Sequence, residues 1–190
     1  MNVPSKGPRT IGAIELSSIG VGYQVQDELL KAASVELMIA RTVCSGKYLI
    51  VIVGPVSDVQ SSIARGSEVA GEALIDELVL PSVHEGVFPA LGQSVVLASD
   101  QAEALGVVET FSGVSVLAAA DAAAKAGRVT LFRIHVAMAL GGKGFVLMTG
   151  PLPDVEAAVA AGAKQAQDRG LLVSKVVIPR PSRELFQDYI

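Results

Sequence analysis

Residues 46–59, GKYLIVIVGPVSDV, return as residues 142–155, GKGFVLMTGPLPDV, 96 positions later. In both stretches a glycine and a lysine open an apolar run, Gly-Pro closes it, and an aspartate follows. Working outward, Gly12, Glu15, Asp27 and Lys31 return as Gly106, Glu109, Asp121 and Lys125 at an offset of 94, and Pro81 returns as Pro179 at 98. The first change of offset comes from two extra residues just before the second Gly-Gly-Lys. The chain is a duplication in which Ile11 to Phe88 recurs as Leu105 to Phe186.

Each repeat has the same order of elements. Thr10 to Leu16 reads as a strand, and Gln24 to Ala33 carries Val25, Leu29, Leu30 and Ala33 at helical spacing. Val35 to Arg41 and Lys47 to Val53 are two further strands joined by the turn Thr42 to Gly46. Gly54 and Pro55 end that pair, and Ser57 or Asp58 is placed to cap the next helix, whose narrow apolar face is Val59, Ile63, Gly66 and Ala70. Leu78 to Leu80 forms a last strand, stopped by Pro81. Strand, helix, two strands, helix, strand is the ferredoxin-like order, so the chain is predicted as α+β, two tandem domains, each a four-stranded antiparallel sheet with helices on one face. The expected boundaries are a tail over 1–10, a first domain over 11–91, a polar linker over 92–104 and a second domain over 105–190.

Composition narrows the function. The chain is 51% hydrophobic, yet no apolar run approaches the roughly 20 residues that span a bilayer. Domains of this size bury their own cores only marginally, so the excess apolar surface is assigned to packing between domains and between chains. The net charge of −4 is dispersed, with no basic stripe for nucleic acid. Met1 to Arg9 has no apolar segment of signal-peptide type and reads as a short cytosolic tail. No G-x-x-x-x-G-K-[ST] or G-x-G-x-x-G loop is present, which weakens a nucleotide-binding regulator. His84 and His135 occupy unmatched repeat positions, so neither a histidine metal site nor a base for a cysteine nucleophile is supported. Glu15 and Glu109, one per repeat on a strand, read as structural or interface hydrogen-bonding groups rather than an acid/base pair.

The single cysteine, Cys44, sits in the first repeat just before Ser45-Gly46, and its counterpart in the second is Met138. One cysteine makes no intrachain disulfide. It is a buried thiol, a reactive thiol, or a ligand completed by other subunits.

Ile178-Pro179-Arg180-Pro181, after Gly-Gly-Lys and an alanine-rich helix, resembles the bacterial microcompartment shell domain. The first repeat resembles it more loosely, with Leu80-Pro81-Ser82-Val83 in place of the proline-arginine motif. The turns Thr42-Val43-Cys44-Ser45-Gly46-Lys47 and Met138-Ala139-Leu140-Gly141-Gly142-Lys143 are similar to those of tandem shell proteins of the propanediol-utilisation type, which carry an iron-sulfur cluster at a central pore. The resemblance implies a structural, non-enzymatic tile in the microcompartment shell in the cytoplasm. Such a tile is a homotrimer that imitates a hexamer, with other shell proteins and enclosed redox enzymes as partners and no nucleic acid or membrane. It implies a pore lined by Thr42, Val43, Cys44, Ser45 and Gly46, and tile-edge assembly residues Lys31, Lys125 and Arg180.

On that reading three copies of Cys44 meet on the axis. Three thiolates repel one another without a cation, and a metal centre removes that penalty. Iron-sulfur cubes commonly use four cysteines, so the implied cofactor is one [4Fe-4S] cluster per trimer with one iron lacking a protein thiolate. Met138 is a poor substitute ligand, which excludes a second cluster. Electron transfer across the shell, redox sensing and cluster delivery to enclosed enzymes are the functions expected of it. A cluster-free pore passing small polar metabolites is the alternative.

Overall fold

The structure is a computed structural model that describes residues 9–98, 103–136 and 141–189. In the first repeat β1 (Thr10–Leu16) leads to α1 (Ile19–Ala32), then β2 (Glu36–Val43), β3 (Lys47–Gly54), α2 (Val56–Ala70) and β4 (Leu74–Leu80). A short helix α3 (Val87–Leu91) precedes the second repeat, β5 (Ala104–Thr110), α4 (Ser115–Ala126), β6 (Thr130–Val136), β7 (Gly144–Gly150), α5 (Leu152–Asp168) and β8 (Leu172–Ile178). The sheets run β2-β3-β1-β4 and β6-β7-β5-β8, all neighbours antiparallel. This is the ferredoxin-like topology, twice.

Repeat register is kept to the residue. Glu15 lies between Leu49 and Asp76, and Glu109 between Phe145 and Ser174, with an irregularity in pairing immediately after each glutamate. Alternate residues of the first sheet, Ile14, Leu16, Tyr48, Ile50 and Ile52, pack against Val25, Leu29, Val59 and Ile63 of the two helices. The opposite face of β1 and β3 is buried too, at Ile11, Ala13, Leu49 and Val51, which is why the YLIVIV run is continuously apolar rather than alternating. Gly12 and Gly106 recur because a Cβ there would stand 2.7 Å from Ile63 and Val59, or from Val159. Helix and strand approach too closely for a side chain.

A size exchange links the two repeats. Gly22 of α1 lies under the Tyr48 ring, and a Cβ on it would be 2.5 Å from Tyr48 Cγ. In the second repeat the large residue has moved to the helix: a Cβ on Gly144 would meet Val116 Cγ1 at 2.9 Å. Volume at this strand–helix contact is conserved while its source changes sides.

Several boundaries differ from those expected. Helix α1 begins at Ile19, with the Ser18 hydroxyl accepting from the Val21 amide. Helix α2 begins at Val56, with Pro55 at its N-cap and no side-chain cap, so Ser57 and Asp58 lie in its first turn rather than at its cap. Strand β4 starts at Leu74, and β2 extends to Val43, which takes Thr42 and Val43 out of the turn and into the ladder.

By their contacts His84 to Leu91 group with the second repeat. The tail of the first repeat, with α3, therefore belongs to the second unit, where α3 packs on β6 and α4. There the back of the β5–β8 sheet is covered by Leu97 and Phe186, packed with Phe132 and Leu105. The Leu97 amide donates to the Tyr189 carbonyl at 2.6 Å, and the Arg133 guanidinium lies 4.9 Å over the Tyr189 ring. Residues 1–8 of the expected tail, 99–102 of the linker and Ile190 lie outside the described residues.

Candidate functional site

The β2–β3 hairpin narrows to Val43 opposite Lys47, leaving Cys44, Ser45 and Gly46 as its tip. Ser45 and Gly46 both adopt left-handed backbone, at φ of 68° and 73°. Two successive left-handed residues suit a hairpin turn, and glycine enters that region without steric cost. Nothing lies within 4 Å of where a Cβ of Gly46 would be. Cys44 is a free, half-buried thiol, Ser45 and Gly46 are exposed, Val43 is buried and Thr42 is exposed. The thiol thus stands on an open turn held by a closed ladder.

Lys47 anchors that ladder. Its ammonium lies 2.9 Å from Glu15 Oε1, on the adjacent strand β1, and the Glu15 side chain is fully buried. Beside it the Tyr48 hydroxyl donates to Gln26 Oε1 at 2.8 Å, and burial pushes the phenol above its ordinary pKa. In the second repeat Lys143 reaches Glu109 Oε1 at 3.0 Å while the Ser174 hydroxyl donates to Glu109 Oε2 at 3.0 Å. The paired glutamates are structural partners of the hairpin lysines. Met138, Ala139 and Leu140 lie outside the described residues; Gly141 and Gly142 are left-handed like Ser45 and Gly46.

The remaining candidate residues fall elsewhere. Lys31, in the last turn of α1, is exposed and paired with Asp27, which raises the lysine pKa. Lys125 is paired with Asp121 at 2.6 Å on α4. Arg180 is exposed two residues beyond β8. An open cleft of about 610 Å³ adjoins Lys125, lined also by His84, Arg128 and Asp154. Sequence reasoning left the histidines without roles. The His84 amide donates to Asp121 Oδ1 at 2.8 Å and its Nδ1 accepts from the Gly86 amide, while the His135 ring stacks on Phe145. No sequence spacing signalled the His84–Asp121 bond, because it joins a repeat tail to the helix of the next repeat.

Among the described residues no group of three His, Cys, Asp or Glu side chains is placed to hold a metal ion. Cys44 offers one thiolate per chain. A site built on it fits a cluster only where further chains supply the other ligands.

The BMC domain matches residues 10–83 and again residues 104–181. The chain belongs to the BMC-domain family. It is 41% identical over 96% of its length, and 98% of the relative's, to the bacterial microcompartment shell protein PduT of Citrobacter freundii. The shell protein EutM of Salmonella typhimurium, at 43% identity, covers 44% of the chain, about one BMC repeat, and 84% of EutM is matched. The crystal structure of a microcompartment protein from Desulfitobacterium hafniense superposes with a TM-score of 0.87 at 44% identity, over 95% of this chain and 99% of that one. The protein is a tandem-BMC microcompartment shell protein of PduT type, and no helix of its described residues is long and apolar enough to cross a membrane.

Proposed function

We propose that the chain forms a homotrimeric, pseudohexameric shell tile whose central pore binds one [4Fe-4S] cluster through Cys44 of each of three copies. The observation that carries this reading is the placement of the only cysteine as a free thiol on an open hairpin tip, in one repeat of two. A residue present once per chain arrives three times at the axis of a trimer. The ring then holds three thiolates, and the cluster holds them deprotonated against their mutual repulsion.

The chain's own residues define the surroundings. Thr42, Val43, Ser45 and Gly46 line the pore with Cys44. Small residues at 45 and 46 leave backbone amides able to approach cluster sulfurs, and such hydrogen bonds help set a reduction potential. The fourth iron has no protein thiolate and is open to water or a small ligand. The tile is non-catalytic and serves electron transfer across the shell, redox sensing or cluster delivery to enclosed redox enzymes. Lys31, Lys125 and Arg180 join tiles at their edges, and loss of flat sheets in Lys31→Ala and Arg180→Ala, seen by electron microscopy, tests that placement.

Anaerobic purification of the parent protein and of Cys44→Ser tests the central site. The parent is expected to show broad iron-sulfur absorption and a paramagnetic resonance signal on reduction, and the variant neither, with its trimer intact. A parent without iron or inorganic sulfide after reconstitution leaves the cluster-free metabolite pore as the function. Loss of the trimer in the variant assigns Cys44 to packing.

A further inference from the structure

The hairpin that bears Cys44 also bears a positive charge that no described residue neutralises. Residues 41–47, Arg-Thr-Val-Cys-Ser-Gly-Lys, contain two cations, and Lys47 is closed by Glu15 at 2.9 Å. Arg41 is half-buried and its Nε is buried without a hydrogen-bond partner. Among the described residues no carboxylate pairs with its guanidinium. Ladder register shows why. Arg41 lies opposite Leu49, Leu49 opposite Glu15 and Glu15 opposite Asp76, so the four form one row across the sheet, and Val43 with Lys47 forms the next row on the same face. Glu15 is taken by Lys47, and Asp76 stands three strands from Arg41, about 14 Å away.

The second repeat lacks this group. At offset 94 the equivalent of Arg41 is His135, and its ring is stacked on Phe145 with centroids 5.2 Å apart and 5° between the planes. Cys44 and Arg41 are thus both features of the first hairpin alone, three residues apart. A buried donor left without an acceptor costs free energy, and a guanidinium is charged at every pH the fold meets. Its countercharge comes from outside the chain.

We propose that Arg41 binds a small oxyanion, a carboxylate or phosphate group, beside the Cys44 turn. The planar fork of N–H donors on arginine matches two oxygens of such a group, and the bound anion supplies the missing countercharge. Arg41 occurs at this position once per chain, so a trimer carries three such sites around its three thiols. That consequence rests on the tile proposed above: oxyanions, rather than cations or neutral solutes, gather at the ring and form the class from which the thiolate-free iron takes its small ligand. The site itself belongs to one chain and needs no cluster.

The test is isothermal titration of inorganic phosphate and of succinate into the full-length protein, as the parent and as Arg41→Gln, Arg41→Lys, Cys44→Ser and Lys175→Gln. Both probes are expected to bind the parent and to bind Arg41→Gln about tenfold more weakly or worse, the worth of a hydrogen bond to a charged group. Arg41→Lys, which keeps the charge and loses the fork, is expected to fall between them. Lys175, exposed on β8, controls for surface charge, and its variant is expected to bind as the parent does. Arg41→Gln removes an unpaired charge, so its melting temperature is expected to be no lower than the parent's; a lower one without loss of binding assigns Arg41 to packing and overturns the proposal. Equal affinity in the parent and Arg41→Gln, or no binding to the parent, overturns it as well. Binding retained in Cys44→Ser supports the site, and binding lost there but kept in Arg41→Gln moves the anion to the iron and overturns it. A parent without iron whose phosphate binding still depends on Arg41 overturns the cluster and leaves this site standing.

Discussion

Lys47 Nζ lies 2.9 Å from Glu15 Oε1, tying the base of the cysteine-bearing hairpin to a fully buried carboxylate on the neighbouring strand. Breaking a buried ion pair by removing one partner costs about 3–5 kcal/mol. Lys47→Met is therefore expected to destabilise the fold by about 3 kcal/mol or more. Lys143→Met is expected to cost about 1 kcal/mol, since its pair is partly exposed where the Glu15 carboxylate is fully buried. Denaturant melts of the two variants check the order. Equal costs contradict this account of the hairpin anchor.

Gly22 and Tyr48 meet so closely that the helix cannot carry a side chain there. Alanine at an ordinary helix position gains about 1 kcal/mol over glycine. Here its Cβ would lie 2.5 Å from Tyr48 Cγ, an atom near the backbone that cannot swing away. Overpacking costs about 1–3 kcal/mol, so Gly22→Ala is expected to be net destabilising, with a lowered Tm. In a Tyr48→Gly background, which adopts the second repeat's arrangement, the same change is expected to stabilise. A double-mutant cycle by thermal unfolding reads the sign reversal.

Tyr48 also gives the fold an alkaline limit. Burial raises its phenol pKa above the ordinary value of 10.0, so the unfolded chain ionises first as pH rises. The contribution is fully present below pH 10 and lost as pH climbs through the raised folded pKa. Unfolding free energy is expected to fall more steeply above pH 10 in the parent than in Tyr48→Phe. Parallel slopes in denaturant melts between pH 9 and pH 11.5 contradict it.

Much of the fold was legible because duplication repeats its constraints. Gly12 and Gly106 mark a strand–helix approach, and Lys47 and Lys143 mark an ion pair to Glu15 and Glu109, so each position was printed twice at a fixed offset. The start of α1 was hidden because Ile19, Gly20 and Tyr23 are exposed and blur the apolar period. The seating of residues 84–91 in the second unit was illegible for another reason. It depends on a backbone amide bonding to Asp121, and backbone amides leave no mark in composition or spacing. At the candidate site the sequence singled out Cys44 and its turn, but ligands that other chains would supply are not written in one chain.

The most direct test of the cluster proposal is the ratio of iron and inorganic sulfide to protein after anaerobic reconstitution and desalting. Three chains sharing one cube predict about four irons and four sulfides per three chains, and none in Cys44→Ser. A ratio unchanged by Cys44→Ser, or iron and sulfide absent from the parent, contradicts the assignment of Cys44 as the ligand.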